Sequence, residues 1–347
     1  MPLPFPNSMS TARASTTGSR VGILTRTKNR PVLLARALAS MLQQTHEDWH
    51  LYLVNDGGDM ATLESLLESY RPALGDRLTV QHHPQSLGME AASNAALAAA
   101  VGDFIAIHDD DDSWKPTFLE ETVAFLNDAR NNTYAAVATN CLVVLERIAA
   151  DSVVTDRIEA WAPWKARVDL RDMLAQNSFP PICLLMRKSI VDQIGSFNVH
   201  MPVLGDWDYN LRILMVGDIG TINKALAYYH QRLPAQDEDV YGNSVTAGRD
   251  LHHEYQVRYR NSLIRQLLTT DSGYVGLLHT LLSRMNEMEN RLVENSKEAA
   301  SQKVLQRLDT ITQQLEDLSK PKSQKKLSWF TKAVAEFRSG FDAARNR

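Results

Sequence analysis

Four adjacent carboxylates follow the apolar run Phe104-Ile105-Ala106-Ile107, in the stretch His108-Asp109-Asp110-Asp111-Asp112-Ser113-Trp114. Carboxylates crowded at the end of a buried strand repel one another unless a cation compensates them. All-oxygen clusters suit Mg²⁺ or Mn²⁺, which keep positions open for water and phosphate oxygens. The alternative is a solvated acidic turn in which one Asp caps the helix after Pro116. Asp56 ends another apolar run, in Val54-Asn55-Asp56-Gly57-Gly58. It could accept hydrogen bonds from a base or ribose, or equally close an Asx-type turn. Thr25-Arg26-Thr27 ends a third run just before a Pro31-led helix, where backbone N–H groups and a positive helix end could face a phosphate. In Gly205-Asp206-Trp207-Asp208-Tyr209-Asn210-Leu211-Arg212 the two Asp point in different directions on a helical turn. One can cap the helix while the other faces a cleft as a general base. His230 is a candidate ligand or donor, although a lone His is usually structural.

These residues need a scaffold that brings strand ends together. Val21-Gly22-Ile23-Leu24, Leu51-Tyr52-Leu53-Val54, residues 78–81 and Phe104-Ile105-Ala106-Ile107 have strand patterns. Between them Leu34, Leu38, Met41 and Leu42 recur at helical spacing, a second helix pattern covers 63–70, and the Ala-rich stretch 91–100 favours helix. Strand–helix alternation predicts an α/β fold with a mostly parallel sheet, in which ligands sit beyond the carboxyl ends of the strands.

The 347 residues have 44% hydrophobic and 22% charged members and a net charge of −4, with 37 basic and 41 acidic side chains. That balance argues against a nucleic-acid binder. Two cysteines, Cys141 and Cys183, exclude a disulfide scaffold and fit a reducing compartment. The start has no apolar signal-type segment and no run is long enough to span a bilayer. A soluble, cytoplasmic protein is predicted, with a disordered N-terminus over 1–20. Beyond residue 250 the character changes. Leu281, Met285, Met288 and Leu292, then Val304, Leu308, Ile311, Leu315 and Leu318, follow a heptad-like rhythm with a break or stutter across 295–302. The region 251–320 is either an amphipathic helix folded back on the domain or, as favoured, a coiled coil that forms a homo-oligomer. In the tail, 321–347, Trp329, Phe330, Phe337 and Phe341 interleave with basic residues. That is the pattern of a helix lying on a membrane surface, or of a solvated end.

Taken in order, Thr-Arg-Thr-Lys-Asn-Arg-Pro, Val-Asn-Asp-Gly-Gly, Leu-Gly-Met-Glu-Ala-Ala-Ser-Asn, His-Asp-Asp-Asp-Asp-Ser-Trp and Gly-Asp-Trp-Asp-Tyr-Asn-Leu-Arg resemble the inverting family 2 glycosyltransferases of GT-A fold. The resemblance covers about residues 21–244 and implies a GT-A domain, a Rossmann-like sheet flanked by helices, over 21–250. It implies that Thr25, Arg26, Thr27, Asp56, Asn94, Asp109 and Asp110 contact a nucleoside-diphosphate-sugar, a UDP-sugar foremost. It implies further that Asp109 and Asp111, with His230 more loosely, hold Mn²⁺ or Mg²⁺, and that Asp206 is the catalytic base. Phe179 and Trp207 are expected to meet the acceptor, a glycan or glycolipid. Surface polysaccharide or O-antigen assembly at the inner face of the cytoplasmic membrane would be the setting. Three positions depart from the family pattern: Gly205 replaces the Glu of a Glu-Asp pair, Ser93 replaces an Arg that could contact phosphate, and His108 replaces a leucine. Two other classes compete: a sugar nucleotidyltransferase, which would want a Gly-rich phosphate loop that residues 25–31 lack, and a coiled-coil scaffold with a degenerate sugar-nucleotide domain.

Overall fold

A computed structural model describes residues 18–149, 152–161, 167–232, 249–270 and 274–318. The expected basic tail and residues 1–17 of the N-terminal segment lie outside the described residues.

Val21–Thr27 (β1) is buried almost throughout, as a strand covered on both faces must be. It leads into Pro31–Leu42 (α1), which has proline in its first turn and turns Leu33, Leu34, Leu38 and Met41 inward. Trp49–Asp56 (β2) is followed by Met60–Leu74 (α2). The Asp59 side chain caps α2 by accepting from Thr62 N at 2.7 Å, and Gly75 at φ +57° ends it. Leu78–His83 (β3), Met89–Ala99 (α3) and Phe104–Ile107 (β4) complete the parallel half, ordered β3-β2-β1-β4. Val21 lies level with both Trp49 and Phe104, and Asp56 with His83, so these strands release their chain ends at one edge of the sheet.

The second half adds Ser113–Trp114 (β5), Phe118–Asn127 (α4), Tyr134–Ala149 (β6), Ser152–Ala160 (β7), Leu170–Ala175 (α5), Leu184–Arg187 (β8), Lys188–Ile194 (α6), Gly205–Val216 (α7) and Asp218–Arg232 (β9). β8 enters antiparallel between β4 and β6, and β6 pairs in parallel with β9 through shifts of register. β1, β2, β3, β4, β6 and β9 therefore run one way, while β5, β7 and β8 run the other. The expected α/β class and mostly parallel sheet are what the chain adopts.

The chain divides into two units at Tyr259/Arg260. Arg249–Thr270 (α8) begins in the first unit, and Tyr274–Leu318 (α9) lies in the second. α9 runs unbroken through 295–302, where the heptad phase changes, and leaves Leu281, Met285, Met288 and Leu292 exposed. Among the described residues no helix is long and apolar enough to cross a membrane.

Candidate active site

Beyond the strand ends lies a cleft of about 730 Å³, walled by Arg26, Glu90, Asp109, Phe179, Asp206 and Tyr229 among others. Its floor is the acidic run that follows β4. His108, the departure from leucine, serves the core. Its Nε2 pairs with Ser40 Oγ at 3.0 Å, its ring meets Trp114 edge-on, and burial pulls its pKa down to about 4, leaving a neutral imidazole. The four carboxylates then diverge. Asp110 is buried and accepts from Thr27 Oγ1 at 2.7 Å and Arg30 Nε at 3.2 Å; burial raises its pKa to about 6 despite Arg30. For Asp111, burial works upward, but Arg30 and Arg232 prevail and hold it below the usual carboxylate range. Burial and the neighbouring acids push Asp109 and, further, Asp112 upward; Asp109 pairs with Arg26, and Asp112 accepts from His230 N at 2.9 Å.

Asp109, Asp111 and Asp112 each offer an oxygen within 4.8 Å of the others. An all-oxygen set whose members drive each other toward protonation fits a hard divalent cation. Asp112 is the member that the sequence pattern did not single out. His230, expected as a further ligand, stands apart from that set: its Nε2 pairs with Ser113 Oγ and its Nδ1 with Glu146, both at 2.8 Å. Glu146 also binds Arg36 and Arg232, so a buried ionic network braces the Arg232 guanidinium against Asp111.

The opposite wall is the start of α7. Leu204 takes a left-handed conformation (φ +65°), strained for a branched side chain, and neither Asp206 nor Asp208 caps the helix. Asp208 turns to Arg212 and the Tyr259 hydroxyl, whereas Asp206 faces the cleft. Asn177 Nδ2 donates to Asp206 Oδ2 at 2.6 Å. Burial raises Asp206 to about 6, against the pull of the Trp207 amide, Asn177 and Arg26. Glu90 reaches the same space from α3. Burial lifts it to about 7; Arg26 opposes this, and Asp206, Asp109 and Asp208 add to it. Arg26 Nη1 donates to Ser93 Oγ at 2.5 Å, so β1 supplies a guanidinium at the position where the resemblance led an arginine to be expected.

Several expected contacts lie elsewhere. Asp56 lines the cleft, but its two oxygens already take four donors: His83 Nδ1 at 2.8 Å, Ser86 Oγ at 2.7 Å, Leu87 N at 2.9 Å and Gly88 N at 3.1 Å. A carboxylate has about four acceptor sites, so as placed Asp56 organises the 85–88 loop. Gly57, at φ +73°, permits this turn, since any Cβ there would overlap the 85–86 backbone. Thr25 is buried in β1 short of the strand end and does not line the cleft. Asn94 also stays out of it, exchanging two hydrogen bonds with the backbone of Phe197. Trp207, expected at the acceptor, is 1% exposed and donates its indole N–H to Met173 O in the core, while Phe179 does line the cleft. Arg30, Glu90, Asn177, Trp161, Tyr229 and His252 line the cleft without having been singled out by sequence. Arg30, in the Thr-Lys-Asn-Arg segment before the proline, and Glu90, in Leu-Gly-Met-Glu-Ala-Ala-Ser-Asn, fell within the ordered motifs; the other four carried no sequence signal.

The family model for glycosyl transferase family 2 matches residues 23–195. Among curated proteins, EpsE of Bacillus subtilis, named as a glycosyltransferase, is 32% identical over 126 residues, 36% of this chain and 44% of that one. A Mycobacterium bovis protein named as a PGL/p-HBAD biosynthesis glycosyltransferase is 27% identical over 193 residues, 55% of this chain and 68% of that one. The chain thus spans less than half the length of the first relative. A crystal structure of S. aureus TarS 1–349 with UDP-GlcNAc superimposes with a TM-score of 0.48 at 19% identity, over 62% of this chain and 59% of that one.

Proposed function

We propose, from the premise that the chain belongs to glycosyl transferase family 2, that its cleft moves a sugar from a nucleoside-diphosphate-sugar to an acceptor hydroxyl with inversion. The observation that carries this is the pairing of two unlike carboxylate sets across one cleft: Asp109, Asp111 and Asp112 gathered as a cation site, and Asp206 alone with a neutral hydrogen-bond donor. Asp109, Asp111 and Asp112 would hold Mg²⁺ or Mn²⁺, which neutralises charge on the leaving diphosphate. Arg26 and Arg30 place fixed positive charge beside the same phosphates. Asp206 takes the proton of the acceptor hydroxyl as that oxygen bonds to the anomeric carbon. The bond from that carbon to the phosphate oxygen breaks, and its electron pair leaves with the nucleoside diphosphate. One displacement inverts the centre and needs no carboxylate nucleophile, unlike a retaining glycosidase. Phe179, Trp161 and Tyr229 form the apolar wall against which sugar rings would pack.

The donor is a UDP-sugar, and the acceptor a glycan or lipid-linked glycan of a bacterial surface polysaccharide assembled at the inner membrane face. The exposed stripe Leu281, Met285, Met288 and Leu292 of α9 pairs with a second copy of the chain as a coiled coil. The test of the site is calorimetric titration with UDP, GDP and dTDP, with and without Mn²⁺. Metal-dependent binding of UDP is expected. Binding of none of them removes the transferase reading and leaves the degenerate scaffold.

A further inference from the structure

Every other carboxylate lining the cleft has a hydrogen-bond partner. Asp56 has four donors, Asp109 has Arg26, Asp110 has Thr27 and Arg30, Asp111 has Arg30 and Arg232, Asp112 has the His230 amide, and Asp206 has Asn177. Glu90 is 6% exposed, and its carboxyl makes no hydrogen bond or close ion pair among the described residues. A carboxyl that opens onto a binding cleft without a protein partner is commonly satisfied by the ligand. Room for it has been made. Any Cβ on Gly205 would overlap the Glu90 carboxyl, so the missing side chain at the start of α7 is replaced in space by one arriving from α3. Electrostatically Glu90 feels Arg26 and Asp109 on the phosphate side and Asp206 on the acceptor side. In a single displacement the reacting sugar must occupy the space between leaving diphosphate and base.

Resting on the transferase reading, we propose that Glu90 hydrogen-bonds a hydroxyl of the transferred sugar, with Gly205 kept side-chain-free to admit it, so that this pair sets which sugar the donor pocket accepts. A site built to hydrogen-bond a hydroxyl rejects analogues lacking it far more strongly than an apolar pocket rejects a changed methylene. Glu90 is thus a specificity contact, separate from the base and from the cation-binding oxygens.

The experiment measures dissociation constants of the full chain in Mn²⁺ for UDP and GDP, and for UDP-glucose, UDP-galactose, UDP-GlcNAc and GDP-mannose. The quantity of interest is the gain of the best nucleotide-sugar over its bare nucleotide. Glu90→Ala should erase at least about tenfold of that gain while the bare nucleotide binds within about twofold. Gly205→Ala, which pushes the carboxyl aside, should reproduce the loss and add nothing in the Glu90→Ala background. Glu90→Gln, which keeps the shape, decides the matter should the alanine variant fail to melt cooperatively: its sugar gain should fall or its preference among sugars change. One deoxy position on the preferred sugar should cost the wild type the same factor and cost Glu90→Ala nothing more. A sugar gain that survives Glu90→Ala, or is absent in a wild type that binds the bare nucleotide, overturns the proposal. Absence of all nucleotide binding removes the transferase reading beneath it.

Discussion

The two carboxylate walls of the cleft are built from the same residue type, yet Asp111 on one and Asp206 on the other end in opposite electrostatic states. Asp111 and Asp206 both meet burial as the largest influence on their proton affinity. Two guanidinium groups, Arg30 and Arg232, overcome it for Asp111 and hold that side chain as a resident anion. Asp206 has only an amide side chain and a backbone N–H in contact, with Arg26 acting from a distance, and keeps a pKa of about 6. The number of guanidinium groups at contact thus separates a charge that stays from a charge that can take a proton. Environment assigns the roles of acid, base and stabiliser among chemically identical groups.

The sharpest way to break that comparison is to remove the proton acceptor alone. Asp206→Asn is expected to cut transfer by about 10²–10⁴-fold, the usual contribution of a positioned base, while metal-dependent UDP binding persists. Initial rates and calorimetry on the same preparation check both halves. A variant that turns over normally removes Asp206 from the mechanism.

Next in size is the brace behind the anionic wall. Burial alone would raise Glu146, but His230 and Arg36 pull it down to about 2. A carboxyl depressed in the folded state contributes stability above its unfolded pKa, about 4.3. That stability is lost as pH falls toward 2. Glu146→Gln should therefore lower the melting temperature at pH 7, because Arg36, Arg232 and His230 lose their common partner. Breaking a buried pair in this way costs about 3–5 kcal/mol. The variant should also lose much of the wild type's further fall in melting temperature between pH 4.3 and 2. Thermal melts across that range decide it, and a variant as stable as the wild type would show the network to be incidental to Asp111.

The smallest expected effect sharpens the contrast from the other side. Below about pH 6 Asp206 is protonated and cannot act as a base, so the rate should rise with pH through that value. Asn177 donates to the charged form and so lowers the pKa. Asn177→Ala should move the acid limb of the rate profile upward by up to about one unit, a change of about 1.4 kcal/mol. A limb that stays in place would show that Asn177 only packs there.

Much of this site is legible in the sequence because it sits at strand ends. Apolar runs of strand length mark β1, β2 and β4, and whatever follows them must emerge at one edge of the sheet, which carries Arg26, Thr27 and Asp109–Asp112 to the cleft. Asp206 is legible through its place in the ordered motif set. Trp207 was expected at the acceptor on proximity to Asp206, and Asn94 at the donor through the family resemblance. One residue along a helix turns a side chain by about 100°, and both meet the core instead. Glu90 falls within the quoted Leu-Gly-Met-Glu-Ala-Ala-Ser-Asn motif but was given no role there, since its neighbours in the chain do not show what it faces, and Asn177 lies in a loop 29 residues from the Asp206 it touches.

What the sequence by itself determined was the α/β alternation, the strand ends and the identity of the acids, since periodicity and composition are local properties that burial enforces strand by strand. What only the tertiary structure decided was which carboxylate keeps its charge. That depends on guanidinium groups brought from the turn between β1 and α1 and from β9, on a glycine at 205 that leaves space for a side chain from α3, and on a serine at 93 that receives Arg26. Burial raises every carboxylate alike, and only contacts between segments distant in sequence select among them.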